Sequence, residues 1–253
     1  MVFNSIAIIG SGNVATNLAL NLAQMDTLQL GIYSPAIQHR TELALATKSK
    51  LYHSIEETFD ADLILICVPD NAIQNVVDLL PINQKIAYTS GSIPLITFVR
   101  HTNIGVFYPL QTFTKNHLIN LKTVPFFVEA NNQQLEKELF DFASLVGKNV
   151  SITSSEERKH YHLAAVLLNN FTNHLAHLAQ QHLVEHELDW QNLLPLFEET
   201  ARKITTSSPM EIQTGPARRN DTQVINQHLK ELNENEKNIY LAMTNSIIKT
   251  YHD

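Results

Sequence analysis

A glycine-rich turn close to the start of the chain limits the folds that this sequence can adopt. Residues 6–9 form a short apolar run, Gly10-Ser11-Gly12 interrupts it, and a helix-like run begins at Asn13. A strand, a tight turn and a helix in this order are typical of the first βαβ unit of an α/β fold. The turn therefore predicts a parallel sheet, and its spacing raises the question of whether it binds a ligand.

The residues of this turn match the pattern G-x-G-x-x-G/A, with Ala15 in the last position. The first glycine permits the tight turn, the second lets the backbone approach a pyrophosphate, and the small Ala15 side chain allows close helix packing. Free N–H groups at the positive end of the helix would then face the phosphates. We expect a dinucleotide to bind at Gly10, Ser11, Gly12, Asn13, Val14 and Ala15. The alternative is a turn that only connects a strand to a helix.

The first 150 residues alternate between strand-like and helix-like patterns. Strands are predicted at residues 6–9, 29–33, 63–68, 85–89, 104–108, 126–129 and 149–152, and helices at 14–24, 38–47, 71–80 and 135–145. The run 63–68 is apolar without alternation, as expected for a central parallel strand that is covered on both faces. The order predicts an α/β domain of the Rossmann type, with a doubly wound, mostly parallel sheet.

The pattern changes after residue 153. Ser154 and Glu157 have the spacing of a capping box, and the run that follows to about Leu188 contains neither Gly nor Pro, which predicts one long helix. Further helices are predicted at 190–205, 222–232 and 236–250. We therefore divide the chain into a dinucleotide-binding domain at 1–153 and an all-helical domain at 154–253.

Composition and charge exclude several classes of function. The chain of 253 residues has a formal charge of -7, which argues against a nucleic-acid partner. No apolar run approaches the roughly 20 residues of a membrane span, and no leader pattern precedes the first strand. The single cysteine, Cys67, lies in an apolar run and excludes a disulfide framework, so a cytoplasmic protein is expected. The 12 histidines form no metal-ligand signature, and no metal site is expected.

The end of the second predicted strand bears on which dinucleotide is preferred. An NAD site usually places an acid there to bind the ribose 2′-hydroxyl, but residues 31–40 contain none. Ser34, His39 and Arg40 are instead available for a 2′-phosphate, which favours NADP over NAD. The alternative is that Arg40 is simply a solvated residue of the second helix.

Six segments together resemble a known family. They are GSGNVATNLA, ICVPDNAI, TSGSIP, GVFYPLQTF, HLAAVLLNNFTNHL and QTGPARRND, between residues 10 and 221. With them the chain resembles a family of Rossmann-like oxidoreductase homologues with a helical second domain of unknown function. Its first half is also similar to pyrroline-5-carboxylate reductases and deazaflavin-dependent NADP reductases. The resemblance implies NADP binding, hydride transfer, and a helical domain that closes the site and forms a homodimer.

The sequence departs from one group of these relatives. Hydroxyacid dehydrogenases carry a lysine four residues before a helical asparagine, where it donates a proton or anchors the substrate. Here Ala165 stands four residues before Asn169, and Val166 four before Asn170. That lysine chemistry therefore cannot be assigned to this chain.

Ligands of open α/β sheets lie beyond the carboxyl ends of the strands. Val68 and Pro69 follow the central strand and are expected to border the dinucleotide. Asp70 comes next and is favoured as the N-cap of the following helix. Ser90, in the segment TSGS, is a candidate for substrate binding, with a simple turn as its alternative.

The segment FYPLQTF follows the sixth predicted strand. Its candidates for substrate binding are Tyr108, Gln111 and Thr112, because a tyrosine can donate a proton and an amide or hydroxyl can orient a carbonyl. The alternative is that the aromatic residues only seal the interface with the helical domain.

Helical geometry places His162, Asn169 and Asn173 on one stripe of the long helix. This stripe could line a cleft between the domains, with His162 as proton donor and Asn169 beside it, or it could be a solvated face. Further along, Arg218 or Arg219 in the loop IQTGPARRND could bind a substrate carboxylate or a cofactor phosphate. Alternatively, Asp221 could pair with the arginines and cap the next helix.

These observations predict an NADP-dependent oxidoreductase that transfers a hydride between a nicotinamide and a small carbonyl or imine. A nucleotide-binding or sensor protein without catalysis, and a structural or interaction protein, are the alternatives that the sequence leaves open.

Overall fold

The computed structural model describes residues 2–252 and divides into two compact units, one up to Asn170 and one from Phe171 onward. The first unit includes the helix that follows the predicted boundary at residue 153. The division into domains at that residue stays a prediction.

One sheet of eight strands forms the centre of the first unit. Its strands are β1 (Ser5–Ile9), β2 (Gln29–Tyr33), β3 (Lys50–Leu51), β4 (Leu63–Ile66), β5 (Ile86–Tyr88), β6 (Ile104–Pro109), β7 (Pro125–Ala130) and β8 (Lys148–Ile152). Their order in the sheet is β3-β2-β1-β4-β5-β6-β7-β8. All neighbours are parallel except β6 and β7, which are antiparallel. The predicted α/β class with a mostly parallel sheet is confirmed.

Four helices accompany these strands, namely α1 (Asn13–Leu22), α2 (Ile37–Thr47), α3 (Asp70–Val77) and α4 (Gln133–Val146). The strand order reverses between β1 and β4, since β1 leads to β2 on one side while β4 lies on the other. A crevice beyond the carboxyl ends of two such strands is where open α/β sheets bind ligands. The glycine turn follows β1 and therefore lies at this crevice.

Apolar side chains cover both faces of the sheet. All four residues of β4 are fully buried, and they alternate between two core clusters: Leu63 and Leu65 belong to one, Ile64 and Ile66 to the other. This double burial explains why the run lacks polar alternation. The strand itself ends at Ile66, two residues before the predicted end at Val68.

The helical run that begins with the capping box is not a uniform α-helix. It consists of α5 (Ser155–Ala165), a π-helical segment (Val166–Phe171) and α6 (Thr172–Glu185). The predicted long helix is therefore present from Ser155 to Glu185, but its middle is π-helical. A run without Gly and Pro favours an unbroken helix. It does not show whether the backbone hydrogen bonds span four residues, as in an α-helix, or five, as in a π-helix.

The second unit is helical. Its further elements are a 3-10 turn (Trp190–Leu193), α7 (Leu194–Thr206), α8 (Pro209–Ile212), a 3-10 turn (Ala217–Arg219), α9 (Thr222–Glu231) and α10 (Glu234–His252). Of residues 171–252, only Ala217, Ile225 and Thr244 are buried. Throughout residues 2–252, each helix is too short or too polar to cross a lipid bilayer.

Candidate functional site

The glycine turn has the backbone that its sequence predicts. Gly10 adopts a φ of +132°, and a Cβ added there would lie 2.2 Å from the carbonyl oxygen of Cys67, so only glycine fits. A Cβ added to Gly12 would meet nothing within 4 Å, which shows open space in front of the turn. Ala15 is fully buried in the core below α1.

The N-terminus of α1 has no side-chain cap and no acidic residue in its first turn. Its first N–H groups therefore lack intrahelical acceptors, and the positive end of the helix is not neutralised by a side chain. These donors, beside the open space at Gly12, fit the pyrophosphate of a dinucleotide.

Ser34 and Arg40 form a polar site next to this turn. The Ser11 hydroxyl donates to Ser34 Oγ at 2.9 Å, which ties the glycine turn to the end of β2. Arg40 Nη1 donates to the carbonyls of Ser34 at 3.0 Å and His53 at 3.5 Å. Only 8% of Arg40 is exposed, so the alternative of a solvated residue was wrong. Its buried Nε has no hydrogen-bond acceptor among the described residues, and a guanidinium in this state fits an anionic ligand.

A cavity of about 680 Å³ lies within the first unit. It brings together eight of the residues predicted for the site, namely Asn13, Val14, Ser90, Tyr108, Gln111, Thr112, His162 and Asn169. Val68 and Pro69 lie between β4 and α3 but do not line the cavity. The next residue, Asp70, does line it. The start of α1 and the ends of β5 and β6 thus face one space together with α5.

Tyr108 and His162 form a direct pair in this cavity. The Tyr108 hydroxyl lies 3.1 Å from His162 Nδ1, and which of the two atoms donates depends on the imidazole tautomer. A Cβ on Gly91 would lie 2.7 Å from His162 Nδ1 and 2.8 Å from Tyr108 Cζ, so the missing side chain makes room for both rings. Burial raises the pKa of the Tyr108 phenol, the Arg158 guanidinium lowers it in part, and the Asp70 carboxylate raises it.

Asp70 has a different role from the one predicted. The helix α3 begins at Asp70 itself, with Pro69 in the N-cap position, so the expected N-cap role of Asp70 was wrong. In the first turn the carboxylate still interacts favourably with the positive end of the helix. It accepts a hydrogen bond from the Ser92 hydroxyl and lies against the cavity.

The other polar residues at the strand ends are partly occupied by their own loops. Ser90 Oγ accepts from the N–H groups of Ser92 and Ile93, each at 3.1 Å, so the residue forms a turn and also borders the cavity. Gln111 Oε1 accepts from the Thr112 N–H at 2.8 Å. The Gln111 amide NH₂ and the Thr112 hydroxyl are the groups that these bonds leave for a ligand.

The π-helical segment changes which residues of the helical run face the cavity. Asn169 and Asn170 both border it, because the wider π turn brings neighbouring residues closer to one face. The π-helical segment separates His162 from Asn173, so the regular α-helical stripe expected for His162, Asn169 and Asn173 is interrupted. Ala165 and Val166 also line the cavity and bring no amine to it.

Two family models match the chain. The model described as NADP oxidoreductase, coenzyme F420-dependent, matches residues 5–87. A domain of unknown function, DUF2520, matches residues 124–247. The solved structure of a "putative NADP oxidoreductase" from Bacteroides fragilis is 35% identical, with 98% of this chain and 99% of that chain covered and a TM-score of 0.90. The chain belongs to this family of Rossmann-like NADP oxidoreductase homologues.

More distant structures share the fold. A 1-pyrroline-5-carboxylate reductase from Streptococcus pyogenes is 16% identical, with 98% of this chain and 97% of that chain covered and a TM-score of 0.66. An imine reductase from Myxococcus stipitatus, solved in complex with NADP+, is 11% identical, with 98% and 92% covered and a TM-score of 0.65. A search of the curated proteins finds no match.

A buried arginine of this NADP oxidoreductase homologue was not predicted from the sequence. Arg158 is 1% exposed and pairs with Glu129 of β7, although a lone arginine in the first turns of a helix is normally solvated. The only signal was indirect: the capping box at Ser154 and Glu157, which forms as predicted, fixes where α5 begins.

Arg218 belongs to the second unit of the oxidoreductase homologue. Its guanidinium lies 4.2 Å from the centroid of the Tyr251 ring, and its carbonyl oxygen is 3.0 Å from His252 Nε2. Asp221 caps α9 by accepting from the Val224 N–H at 3.1 Å, and within residues 2–252 it makes no ion pair with Arg218 or Arg219. The described residues contain no group of three His, Cys, Asp or Glu side chains that could hold a metal ion.

Proposed function

We propose that the chain is an NADP-dependent oxidoreductase that transfers a hydride between the nicotinamide and a small carbonyl or imine. The observation that carries this proposal is the pair of Tyr108 and His162 in a cavity that also borders the start of α1. A proton-transferring pair beside a phosphate-binding turn is what reduction of C=O or C=N requires.

The cofactor would be held by residues of the first unit. Gly10 to Ala15 would bind the pyrophosphate, Val68 and Pro69 would border the dinucleotide, and Ser34 and Arg40 would bind the 2′-phosphate, which supports a preference for NADP over NAD. When bound, the nicotinamide supplies or accepts the hydride.

Tyr108 is the proposed proton donor, with His162 beside it. In the tautomer that carries a proton on Nδ1, His162 donates to the Tyr108 oxygen, and the phenol proton is free to point into the cavity. Because burial raises the pKa of Tyr108, the phenol stays protonated at neutral pH. Asn169, Ser90, Gln111 and Thr112 would orient the substrate by hydrogen bonds.

Titration of the purified protein with NADPH and NADH, followed by nicotinamide fluorescence, tests the cofactor site. Gly12→Val should remove NADPH binding without lowering the melting temperature, because the added side chain fills open space and touches no protein atom near the Cβ. Arg40→Met should weaken NADPH by roughly 10- to 100-fold while leaving NADH unchanged, as the loss of a charge-assisted hydrogen bond implies. Undiminished NADPH affinity in the Gly12 variant refutes the site.

A second candidate is a nucleotide-binding or sensor protein without turnover. It is favoured by Ala165 and Val166, which line the cavity where related dehydrogenases carry a catalytic lysine. A panel of small aldehydes, ketones and cyclic imines with NADPH separates the two functions. Oxidation of NADPH by any of these compounds supports the oxidoreductase function if Tyr108→Phe abolishes it.

We further propose a homodimer formed through the helical unit. The second unit has an apolar cavity of about 500 Å³ and many exposed apolar side chains, which a partner surface of the same kind would cover. A cytoplasmic location is proposed because the single cysteine suits a reducing compartment.

A further inference from the structure

Arg158 joins three segments, two of which, α5 and the loop of Ser90, line the cavity. Its Nη1 forms an ion pair with Glu129 of β7, and its Nη2 donates to the Ile93 carbonyl at 2.7 Å and to Ser155 Oγ at 3.3 Å. The Ser155 hydroxyl also donates to Glu129 Oε2 at 2.7 Å. The guanidinium thus connects α5, β7 and the loop that carries Ser90 and Gly91.

The same face of α5 meets the sheet at two further points. Tyr161 packs against Phe127 with the ring centroids 4.6 Å apart and the ring planes tilted by 48°. His162 contacts Tyr108, which is the cross-strand neighbour of Phe127. Arg158 and His162 are separated by four helical residues, or about 6 Å, and Glu129 and Phe127 by two strand residues, or about 6.6 Å. The two spacings agree, so the ion pair at one point and the His162 contact at the other can form together on one face of α5.

We propose that Arg158 is a positioning residue for the Tyr108–His162 pair: its bonds to Glu129 and Ile93 fix α5 on the sheet. This inference rests on the proposed function, because it concerns the proton donor of that reaction. Arg158 is 1% exposed, so its charge is poorly screened. The buried guanidinium lowers the pKa of Tyr108 against the larger effect of burial.

Charged and titratable groups approach Tyr108 from three directions. Arg158 and His162 come from α5, Asp70 comes from α3, and Glu129 lies on the neighbouring strand β7, where it is paired with Arg158. Among them Arg158 is the only permanent cation. Its removal should therefore leave Asp70 as the dominant charge that acts on the phenol.

The test compares two variants of the full-length protein without any substrate. Arg158→Met combined with Glu129→Gln removes the ion pair without leaving an unpaired buried carboxylate. Arg158→Lys keeps the charge but loses the planar guanidinium that bonds to Glu129 and Ile93 together.

Two NMR signals are measured in each variant. They are the titration of ¹³Cζ-labelled Tyr108 and the ¹⁵Nδ1 signal of His162, which are assigned with Tyr108→Phe and His162→Gln. Arg100→Met removes the same charge from an exposed position as a control.

In the double variant we expect Tyr108 to titrate at higher pH and the hydrogen-bonded Nδ1 signal to be lost. In Arg158→Lys we expect the Tyr108 titration to stay near the wild-type value while the Nδ1 signal changes. Folded variants in which both signals match the wild type overturn the proposal, and if the double variant does not fold, the lysine variant alone decides. NADPH affinity should remain unchanged, since none of the Arg158 partners belongs to the glycine turn, so a failure of cofactor binding is recognised separately.

Discussion

The two compact units of the chain cover their apolar side chains to very different extents. In the first unit the sheet is buried on both faces by two core clusters. In the second, residues such as Leu196, Phe197 and Met210 are at least half exposed, and only three of residues 171–252 are buried. A partner surface would cover apolar side chains that the second unit leaves exposed. The contrast supports the two proposals made above, that the first unit carries the chemistry and that the second unit forms the homodimer contact.

The largest effect should come from the first unit at Gly10. Gly10→Ala places a Cβ 2.2 Å from the Cys67 carbonyl at a φ that side chains rarely adopt, and it should cost at least about 4 kcal/mol of unfolding free energy. Urea unfolding followed by circular dichroism measures this. A fully stable Gly10→Ala protein contradicts the rigid turn, and Gly12→Val is the control, with stability close to that of the wild type.

The next effect concerns association of the second unit. Met243 is 49% exposed and borders its apolar cavity, so Met243→Lys should weaken the dimer by at least about tenfold as an ammonium is placed against apolar surface. Asn245→Lys adds the same charge to an exposed position of α10 and should leave the dimer intact. Sedimentation equilibrium compares the two. A wild-type protein that is monomeric at all concentrations would contradict the proposed association through the second unit.

Alkaline pH should destabilise the first unit in particular. Burial raises the pKa of Tyr52, Tyr88 and Tyr108, and it raises the pKa of the Cys67 thiol to about 12. Each of these groups binds its proton more tightly in the folded state than in the unfolded state. Its contribution to folding stability is therefore complete below the pKa of the unfolded state, about 10 for tyrosine. That contribution is lost as the pH rises through the pKa of the folded state. Denaturant unfolding between pH 8 and roughly pH 12 should show this fall. A Tyr88→Phe protein with an unaltered pH slope argues against it.

The smallest effect is expected when one helix N-cap is removed from each unit. Asn132 caps α4 through the Leu135 N–H, and Asp221 caps α9 through the Val224 N–H. Replacement of either residue by Ala should cost about 1 kcal/mol. Hydrogen exchange should locate the first loss in α4 and the second in α9. Losses spread equally over both units would mean that the chain unfolds as one cooperative body.

Local patterns predicted much of the first unit. The alternation of strand and helix signals identified β1, β2 and β4 and the parallel arrangement, because each strand is covered by the helix that follows it. β3 was missed because two residues carry no periodicity. The antiparallel pairing of β6 with β7 is set by packing between segments, which a single sequence does not show.

The sequence predicted individual residues of the candidate site but not the contacts between them. The rule for strand ends indicated Ser90 and Tyr108, and helical spacing indicated His162, and the structure places all three on one cavity. The contact between Tyr108 and His162 joins residues 54 positions apart, which no local pattern predicts. Arg158 was overlooked because its burial depends on Glu129 in another strand.

Gly91 has a consequence for other members of the family. With no side chain at this position, the imidazole and the phenol can occupy space that a methyl group would take. Homologous sequences should therefore show a linked choice: those that retain both aromatic partners keep glycine here, and those with a larger residue lack one of the rings. A single column of an alignment would then sort the family into proteins with and without this tyrosine–histidine pair.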